Sequence, residues 1–230
     1  MGILGAFERA YDIEDLACEL PTQKIAIQRV LLAICYRVVP LEDKDDWKEL
    51  WREGLPTDEI LAYLERWRDR FYLFGGRYPF MQGPDLQTSK GTVSGLEKII
   101  ADIPNGEPFF TVRHGRAVDC ISPDEAALWL LHAQAYDPSG IRSGLVDDPQ
   151  SQGGKSYPTG PAWCGQTAMV WLRGASLEET LMLNLVPADS GHLQGPTLDS
   201  PEAACTWEGS EIETGVRRDY SREGDPEPNG

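Results

Sequence analysis

The sequence has no long hydrophobic run and no export signal. It contains no stretch of about eighteen apolar residues, the length that a membrane-spanning helix requires. The first twenty residues include acidic side chains and lack the apolar core of a signal peptide. These absences predict a soluble, cytoplasmic protein that is neither inserted into a membrane nor secreted.

Paired cysteines and clustered histidines are also missing. The five cysteines form no Cys-x-x-Cys pair, and their odd number argues against a disulfide framework. None of the three histidines has a partner at the spacing of a metal site. We therefore expect neither a metal nor a cofactor. The residues concerned are Cys18, Cys35, Cys120, Cys164, Cys205, His114, His132 and His192.

Basic residues are scarce. The chain has 21 Lys and Arg residues against 37 Asp and Glu residues, which gives a net charge of −16. Because Lys and Arg supply most non-specific affinity for nucleic acid, this balance argues against a simple nucleic-acid binder. The distribution weakens that objection, since residues 137–175 hold three acidic and three basic side chains while residues 176–230 hold twelve and three.

A hydrophobic content of 41% allows the 230 residues to bury a sizeable core. We predict an α+β fold, a single irregular mixed domain with several helices, short strands and long loops. This domain is expected to cover residues 1–188. Residues 189–230 are rich in glycine, proline and acids, and are expected to form an extended or disordered tail.

Several helix starts are visible in the sequence. Pro21 opens a segment that is apolar nearly all round and is predicted to be a buried helix. Thr57 is expected to cap the next helix, which places Ile60, Leu64, Trp67 and Phe71 on one face.

Two serines mark further helix starts. Ser122 begins the segment Ser-Pro-Asp-Glu and predicts a helix to about Ala135. Ser176 with Glu179 forms a capping box before the last helix.

Other segments predict different structures. Asp43 to Trp47 is expected to be an acidic turn, and Thr92 to Ile103 a helix. The segment EPFFTVR, Glu107 to Arg113, is β-rich, and AMVWL at 168–172 is expected to be strand-like.

A long glycine-rich loop, Asp137 to Pro161, separates the predicted fourth helix from AMVWL. A compact domain rarely keeps some twenty residues without secondary structure unless they bind something or are disordered. Function is therefore sought in this loop.

The loop contains a near match to a phosphate-binding motif. PQSQGGKS, at 149–156, resembles G-x-x-x-x-G-K-[ST], but Pro149 replaces the first glycine and removes a backbone amide. A strand rather than a helix is expected to follow, so the pattern favours a flexible surface loop over a nucleotide site.

A thiol-nucleophile triad is a further possibility. Cys164 could pair with His192 and with Asn184 or Asp189, but no family-specific surround accompanies the cysteine. A small buried hydrophobe is the better interpretation of Cys164.

The segment Ser139 to Gly144 is a stronger candidate. Glycine without a Cβ allows close approach of the backbone to a ligand, and Arg142 could neutralise a phosphate or enter a narrow minor groove. Residue chemistry alone does not separate this role from a plain connecting loop.

Four stretches resemble one known family. They are FYLFGGRYPFMQ (Phe71 to Gln82), AQAYDPSGIRSGL (Ala133 to Leu145), AWCGQTAMVWLRG (Ala162 to Gly174) and SLEETLMLNLV (Ser176 to Val186). In this order they resemble the CasA family, the large subunit of the type I-E CRISPR Cascade complex. The resemblance runs from about Leu4 to Glu208 and covers only the amino-terminal half of that family.

The resemblance implies candidate site residues. A glycine-rich loop of the family contacts the minor groove of the protospacer-adjacent motif, and Ser139, Gly140, Ile141 and Arg142 fall on it. A second family loop, near the guide-RNA handle and a neighbouring subunit, corresponds to Thr111 to Cys120. There the matching residues are Arg113, His114 and Arg116.

The resemblance also implies missing parts. The family's opening strand with Trp-Ile-Pro, its lysine finger, its glutamine wedge and its carboxy-terminal four-helix bundle have no counterpart here. The sequence is therefore expected to be a fragment or a truncated gene product.

Together these features predict a non-catalytic subunit of an RNA-guided DNA surveillance complex in antiviral defence. Its implied partners are other Cascade subunits, CRISPR guide RNA, double-stranded target DNA and a recruited nuclease-helicase. One alternative is an assembly module without direct DNA contact, which the net charge favours. Another is a nucleotide-binding or thiol enzyme.

Overall fold

Helices provide most of the secondary structure in the computed structural model. The model describes residues 1–83, 86–103, 113, 119–137, 141–146, 151–156, 163–190 and 205–208. These ranges contain six α-helices and one two-stranded antiparallel sheet, which agrees with the α+β class. The elements are α1 (Ile3–Glu8), α2 (Pro21–Val38), α3 (Lys44–Glu53), α4 (Thr57–Arg66), α5 (Pro123–Tyr136), α6 (Leu177–Leu183), β1 (Arg142–Ser143) and β2 (Lys155–Ser156). Within these ranges no helix has the length and apolar character to cross a membrane.

The chain divides into two compact units. The first contains the described residues from 1 to 72 and from 168 to 208, and the second contains those between 73 and 167. A single mixed domain was expected over 1–188, and the sequence pattern gave no sign of two units. The two units are defined by contacts between residues that are far apart in sequence, and the spacing of apolar residues does not reveal such contacts. The boundary at residue 188 stays a prediction.

Helix α2 forms the centre of the first unit, as its apolar sequence predicts. Pro21 is its first residue, and the Gln23 side chain accepts a hydrogen bond from the Leu20 amide at 3.2 Å. Leu31 and Ile34 are almost fully buried. Helix α2 packs against α4 and α6, so its two apolar faces both find partners.

The acidic turn expected at Asp43 to Trp47 is instead the start of α3. The Asp43 carboxylate accepts hydrogen bonds from the amides of Asp45 at 2.7 Å and Asp46 at 3.0 Å. Asp46 in turn accepts from the Asp43 amide at 3.2 Å, which completes a capping box. The acidic cluster therefore begins a helix, because carboxylates satisfy free amides at a helix amino terminus.

The other helix starts agree with the sequence except at one cap. Ser122 accepts from the Glu125 amide at 3.4 Å, and Ser176 accepts from the Glu179 amide at 3.1 Å. Thr57, however, is the first residue of α4 and not its cap. Pro56 stands at the cap position instead, and the Thr57 hydroxyl donates to the Leu55 carbonyl at 3.3 Å.

The helix expected from Thr92 to Ile103 is reduced to one 3₁₀ turn, Leu96–Lys98. The Thr88 hydroxyl accepts from the Thr92 amide at 3.0 Å and donates to the Thr92 carbonyl at 3.0 Å. Gly95 is extended, with φ −81° and ψ −176°. The Thr88 hydroxyl thus holds Thr92 in the 88–92 turn, and the helical turn begins only after the extended Gly95.

The segment 168–172 forms no strand, contrary to expectation. The Asn184 side chain accepts from the Leu172 amide at 3.1 Å and donates to the Leu172 carbonyl at 2.7 Å. A side-chain amide thus takes the place of a neighbouring strand. Val170 is 86% exposed, so its β-branched side chain packs against no sheet face.

Residues 205–208 of the expected tail are ordered by a cluster around Glu208. The Glu208 carboxylate is 7% exposed and accepts from Arg37 Nε at 3.0 Å, Tyr63 Oη at 2.6 Å and the Cys205 amide at 3.0 Å. Trp207 Nε1 donates to Tyr63 Oη at 2.7 Å. An extended or disordered tail was expected from residue 189, whereas Thr206–Glu208 form a 3₁₀ turn because a carboxylate and an indole bond to side chains on α2 and α4. The rest of residues 191–230 lies outside the described ranges.

The Glu208 cluster predicts a pH-dependent loss of stability. Burial, followed by the hydrogen bond to Glu208, raises the pKa of Tyr63 above its usual value. Above about pH 10 the unfolded tyrosine ionises while the folded one keeps its proton, so stability falls as pH rises. We expect Tyr63→Phe to lower the free energy of unfolding at neutral pH by about 1–3 kcal/mol, because Trp207 loses its acceptor. The difference from wild type should narrow above about pH 10.

Urea unfolding at several pH values measures this difference. Tyr11→Phe is the matched control, because the Tyr11 side chain is 80% exposed. A Tyr63→Phe protein as stable as wild type at neutral pH would contradict the importance of this hydroxyl.

Candidate nucleic-acid interface

The long loop contains ordered structure in its described part. β1 pairs with β2, with Arg142 opposite Ser156 and Ser143 opposite Lys155. Gly153 and Gly154 have φ values of +59° and +74°. They join residues 152 and 155, which exchange two backbone hydrogen bonds of 2.8 and 3.1 Å. Two glycines in the left-handed region are typical of a tight two-residue turn, so the loop is partly a β structure.

This turn also explains the near match to a phosphate-binding motif. The Lys155 amide donates to the Gln152 carbonyl, and the Gln152 amide donates to the Lys155 carbonyl. A phosphate cradle requires free amides that converge on the ligand. Here the amides of Gln152 and Lys155 close the turn instead, which agrees with the surface loop expected from the sequence.

A second segment lies alongside the β structure. The Ser89 amide donates to the Gly144 carbonyl at 3.1 Å, and the Val146 amide donates to the Gln87 carbonyl at 2.9 Å. Residues 88–92 then form a tight turn, in which the Gly91 amide donates to the Thr88 carbonyl at 2.8 Å. The backbone bonds fix this turn beside the strands.

A cleft of about 240 Å³ lies between the 88–92 turn and the β structure. We call it the basic cleft, because three of its lining side chains, Lys90, Arg142 and Lys155, are cationic. Hydroxyl groups line much of the remainder. The full lining is Thr88, Ser89, Lys90, Thr92, Ile141, Arg142, Ser143, Gly154 and Lys155.

Two of the predicted DNA-binding residues line this cleft. The Ile141 side chain is 60% exposed, and Arg142 Nη2 lies 2.5 Å from Asp137 Oδ2. Asp137 thus neutralises part of the Arg142 charge and holds its guanidinium near the base of the loop. Ser139 and Gly140 lie outside the described residues.

Sequence reasoning missed Lys90 and Lys155 as members of the same site. Lys90 is far from the loop along the chain, and only backbone pairing between residues 87–89 and 144–146 brings it close. The one available signal was the neutral charge of residues 137–175 in an acidic chain.

Arg113, a predicted contact for guide RNA or a subunit, has partners within the second unit. Its Nε donates to the Asp102 carboxylate at 3.0 and 3.1 Å, and its Nη1 donates to Glu125 Oε1 at 2.5 Å. The guanidinium lies 5.6 Å from the centroid of the fully buried Trp129 ring. Burial opposes the charge, but the bonds to Glu125 and Asp102 raise the pKa of Arg113 above its usual value.

These contacts give Arg113 an anchoring role between the segment near Asp102 and α5. Its contact with RNA or a subunit stays a prediction. His114 and Arg116, the other residues of that predicted site, lie outside the described residues.

The proposed thiol triad gains no geometric support. Cys164 is buried, and the Asn184 side chain bonds to the backbone of Leu172. His192 lies outside the described residues.

The described part of the chain offers no group of three or more His, Cys, Asp or Glu side chains positioned to hold a metal ion. His132 packs against Trp129 and Tyr136, with ring centroids 5.3 and 5.4 Å away. Burial lowers the pKa of this imidazole. His132 is therefore a packed core residue on α5.

Comparisons with known proteins agree on one family. The family profile described as CRISPR-associated protein Cse1 matches residues 1–230. The CRISPR-associated protein CasA/Cse1 of Thermus thermophilus is 31% identical over 199 residues, which cover 81% of this chain and 36% of that protein.

Solved structures show the same similarity. The Cse1 crystal structure from Thermobifida fusca matches with a TM-score of 0.79 and 44% identity, covering 90% of this chain and 39% of that one. The Thermus thermophilus CasA structure matches with a TM-score of 0.65 and 28% identity, covering 92% and 38%. A chain from a CRISPR RNA-guided surveillance complex shares the fold, with a TM-score of 0.65 and 22% identity, covering 89% of this chain and 43% of that one. The chain thus spans 36% to 43% of the length of these proteins.

The pairing of β1 with β2 leaves no room for a side chain at position 144, so glycine is required there. A Cβ there would lie 1.9 Å from Ser151 Oγ and 2.9 Å from the carbonyl carbon of Gly154. Gly144→Ala should therefore break the 2.8 Å bond from its amide to the Gly154 carbonyl. We expect amide hydrogen exchange at residue 144 to accelerate about fivefold or more, as the loss of about 1 kcal/mol implies.

Gly153→Asn is the matched control for this experiment. Gly153 has φ +59°, no atom lies within 4 Å of its added Cβ, and Asn tolerates this conformation. Equal exchange rates in the Gly144→Ala and Gly153→Asn proteins would show that the close approach at Gly144 is unimportant.

The contacts of Arg113 predict a structural cost for its removal. Arg113→Met should lower the free energy of unfolding by about 1–3 kcal/mol, because Asp102 and Glu125 lose their donor. Arg113→Lys should recover only part of the loss, since an ammonium lacks the planar fork that reaches both carboxylates. Thermal or urea unfolding measures both variants. Full stability in Arg113→Met would contradict the anchoring role.

Proposed function

Because the chain belongs to the CRISPR-associated protein Cse1 family, we propose that it is a non-catalytic subunit of an RNA-guided DNA surveillance complex. In this role it acts in the cytoplasm in antiviral defence. Its partners are other Cascade subunits, CRISPR guide RNA, double-stranded target DNA and a recruited nuclease-helicase. The guide RNA reads the target sequence, while this subunit helps to recognise the adjacent motif.

The observation that best supports a DNA contact is the position of Ile141 and Arg142 in the basic cleft. They are the last residues of the 139–142 loop, and Ile141 is exposed. Ile141 and Arg142 therefore belong to a cationic surface on a chain whose net charge is −16. A local cationic surface of this kind favours a specific contact with DNA. General attraction to DNA would require a large positive field around the protein.

The chemistry of the loop fits the minor groove. Gly140 has no Cβ and allows the backbone to approach base edges, while an arginine is attracted to the negative potential of a narrow groove. The minor groove distinguishes few base pairs, so recognition of several related motifs is expected. Phosphate contacts would position the loop without reading sequence.

The net charge favours a second candidate function, an assembly module that docks on the guide-RNA complex without touching DNA. The segment that Arg113 anchors would then contribute to the docking surface. The two functions differ in one measurable respect, because only direct contact makes DNA affinity depend on the 139–142 loop.

We expect Gly140→Asp to weaken target binding by the assembled complex about tenfold, within the cost of about 1–3 kcal/mol for a lost base-level contact. The substitution adds a Cβ and a negative charge where the backbone would meet the groove. Gel-shift with a motif-bearing duplex and with a scrambled duplex measures the effect, and co-purification with guide RNA checks assembly.

Gly2→Asp provides the control, because it makes the same change at the amino terminus of α1, where aspartate is a good cap. Unchanged affinity in the Gly140→Asp complex, with assembly intact, would remove the loop from the DNA site and favour the assembly module.

A further inference from the structure

We propose that the basic cleft binds a backbone phosphate of the target duplex through Lys90 and Lys155. The inference rests on the proposed function and extends it, since neither lysine belongs to the predicted loop. The phosphate contact would fix the position of the 139–142 loop along the groove.

The charge of the cleft is the first argument. Lys90 and Lys155 come from separate segments, yet both line one surface of about 240 Å³. Among the described residues, neither lysine forms an ion pair with a carboxylate, whereas Arg142 is paired with Asp137. The two lysines therefore give the lining of this cleft a positive charge in a protein with 37 acidic residues.

The rigidity of both supports is the second argument. Lys90 lies within the 88–92 turn, which the Thr88 hydroxyl closes with bonds to both backbone groups of Thr92. Lys155 lies at the start of β2, where its amide and carbonyl both bond to Gln152. Because both backbones are held before any ligand arrives, binding requires ordering of only the two lysine side chains.

The nature of the lining groups indicates the ligand. Lysine is a flexible point charge and contacts phosphate without the planar, bidentate match that arginine makes to guanine. The hydroxyls of Ser89 and Ser143, also in the lining, are common donors to phosphate oxygens. Lys90 and Lys155, with these hydroxyls, therefore suit the negatively charged oxygens of a phosphodiester rather than a base edge.

The phosphate contact has a role in DNA recognition because Arg142 belongs both to the cleft and to the 139–142 loop. Arg142 lines the cleft and is the last residue of the 139–142 loop, so a phosphate held there lies next to the proposed motif reader. Contacts of this type set register and orientation, and leave sequence to the neighbouring groove contacts. Loss of the lysines should therefore weaken all duplexes alike.

The test is a titration of the full chain with short synthetic duplexes at low salt, followed by amide chemical shifts. We expect motif-bearing and scrambled duplexes to shift amides at residues 88–92, 143 and 154–155. In the Lys90→Gln/Lys155→Gln double variant, affinity for both duplexes should fall by the same factor. The slope of log affinity against log salt should decrease by about 1 for each lysine removed.

Lys98→Gln is the control, because Lys98 is an exposed lysine of the second unit that does not line the cleft. Inorganic phosphate at matched ionic strength forms a separate arm. If inorganic phosphate shifts the cleft amides and the duplexes do not, the cleft is a site for free phosphate and the nucleic-acid proposal is wrong.

The remaining outcomes separate this inference from the proposed function. If the double variant binds like wild type while Gly140→Asp still weakens the motif-bearing duplex, the lysine contact is wrong and motif recognition survives. If the double variant loses affinity while Gly140→Asp has no effect, the phosphate contact survives and motif reading by the loop fails. Duplex binding with no shift at the cleft residues would overturn the phosphate contact.

Discussion

The absence of a side chain at Gly144 is the constraint on which the candidate interface depends. Its amide donates to the Gly154 carbonyl, and its carbonyl accepts from the Ser89 amide. One residue thus connects the β structure to the segment that carries Lys90. A Cβ at this point would meet backbone atoms of residues 154 and 155 at 2.9 and 3.0 Å, so the two supports of the basic cleft could not come together.

Charge is organised in two ways in the second unit. Around Arg113, two carboxylates neutralise a guanidinium whose side chain is 10% exposed and which lies against the Trp129 ring, and the arrangement serves packing. The basic cleft has three cationic residues, and the described carboxylate that pairs with one of them is Asp137. Basic residues therefore have two different roles in this unit. The surroundings of each residue show whether it holds the fold together or contributes to a surface that can attract an anion.

Local signals predicted the elements that local chemistry controls. The helix starts at Pro21, Ser122 and Ser176 follow from a fixed ring or a hydroxyl near free amides, and the structure confirms them. The family resemblance, carried by four short stretches, is likewise confirmed. The errors arose where a distant or side-chain partner decides the conformation. The Asn184 side chain bonds to the Leu172 backbone in place of a neighbouring strand. The Thr88 hydroxyl accepts a hydrogen bond from the Thr92 amide. Likewise, no local pattern connects Lys90 with Lys155.

The ion pair between Arg37 and Glu208 has a consequence for the order of folding. Its two residues are 171 positions apart, and the described residues of the second unit lie between them in sequence. At a synthesis rate of about 5–20 residues per second, α2 would wait roughly 10–30 s for this partner after leaving the ribosome. During that interval its apolar faces lack α6, which comes from the same late segment. Residues 73–167 of the second unit are therefore synthesised before residues 168–208 complete the described part of the first unit, and a chaperone would be needed while α2 lacks these late partners.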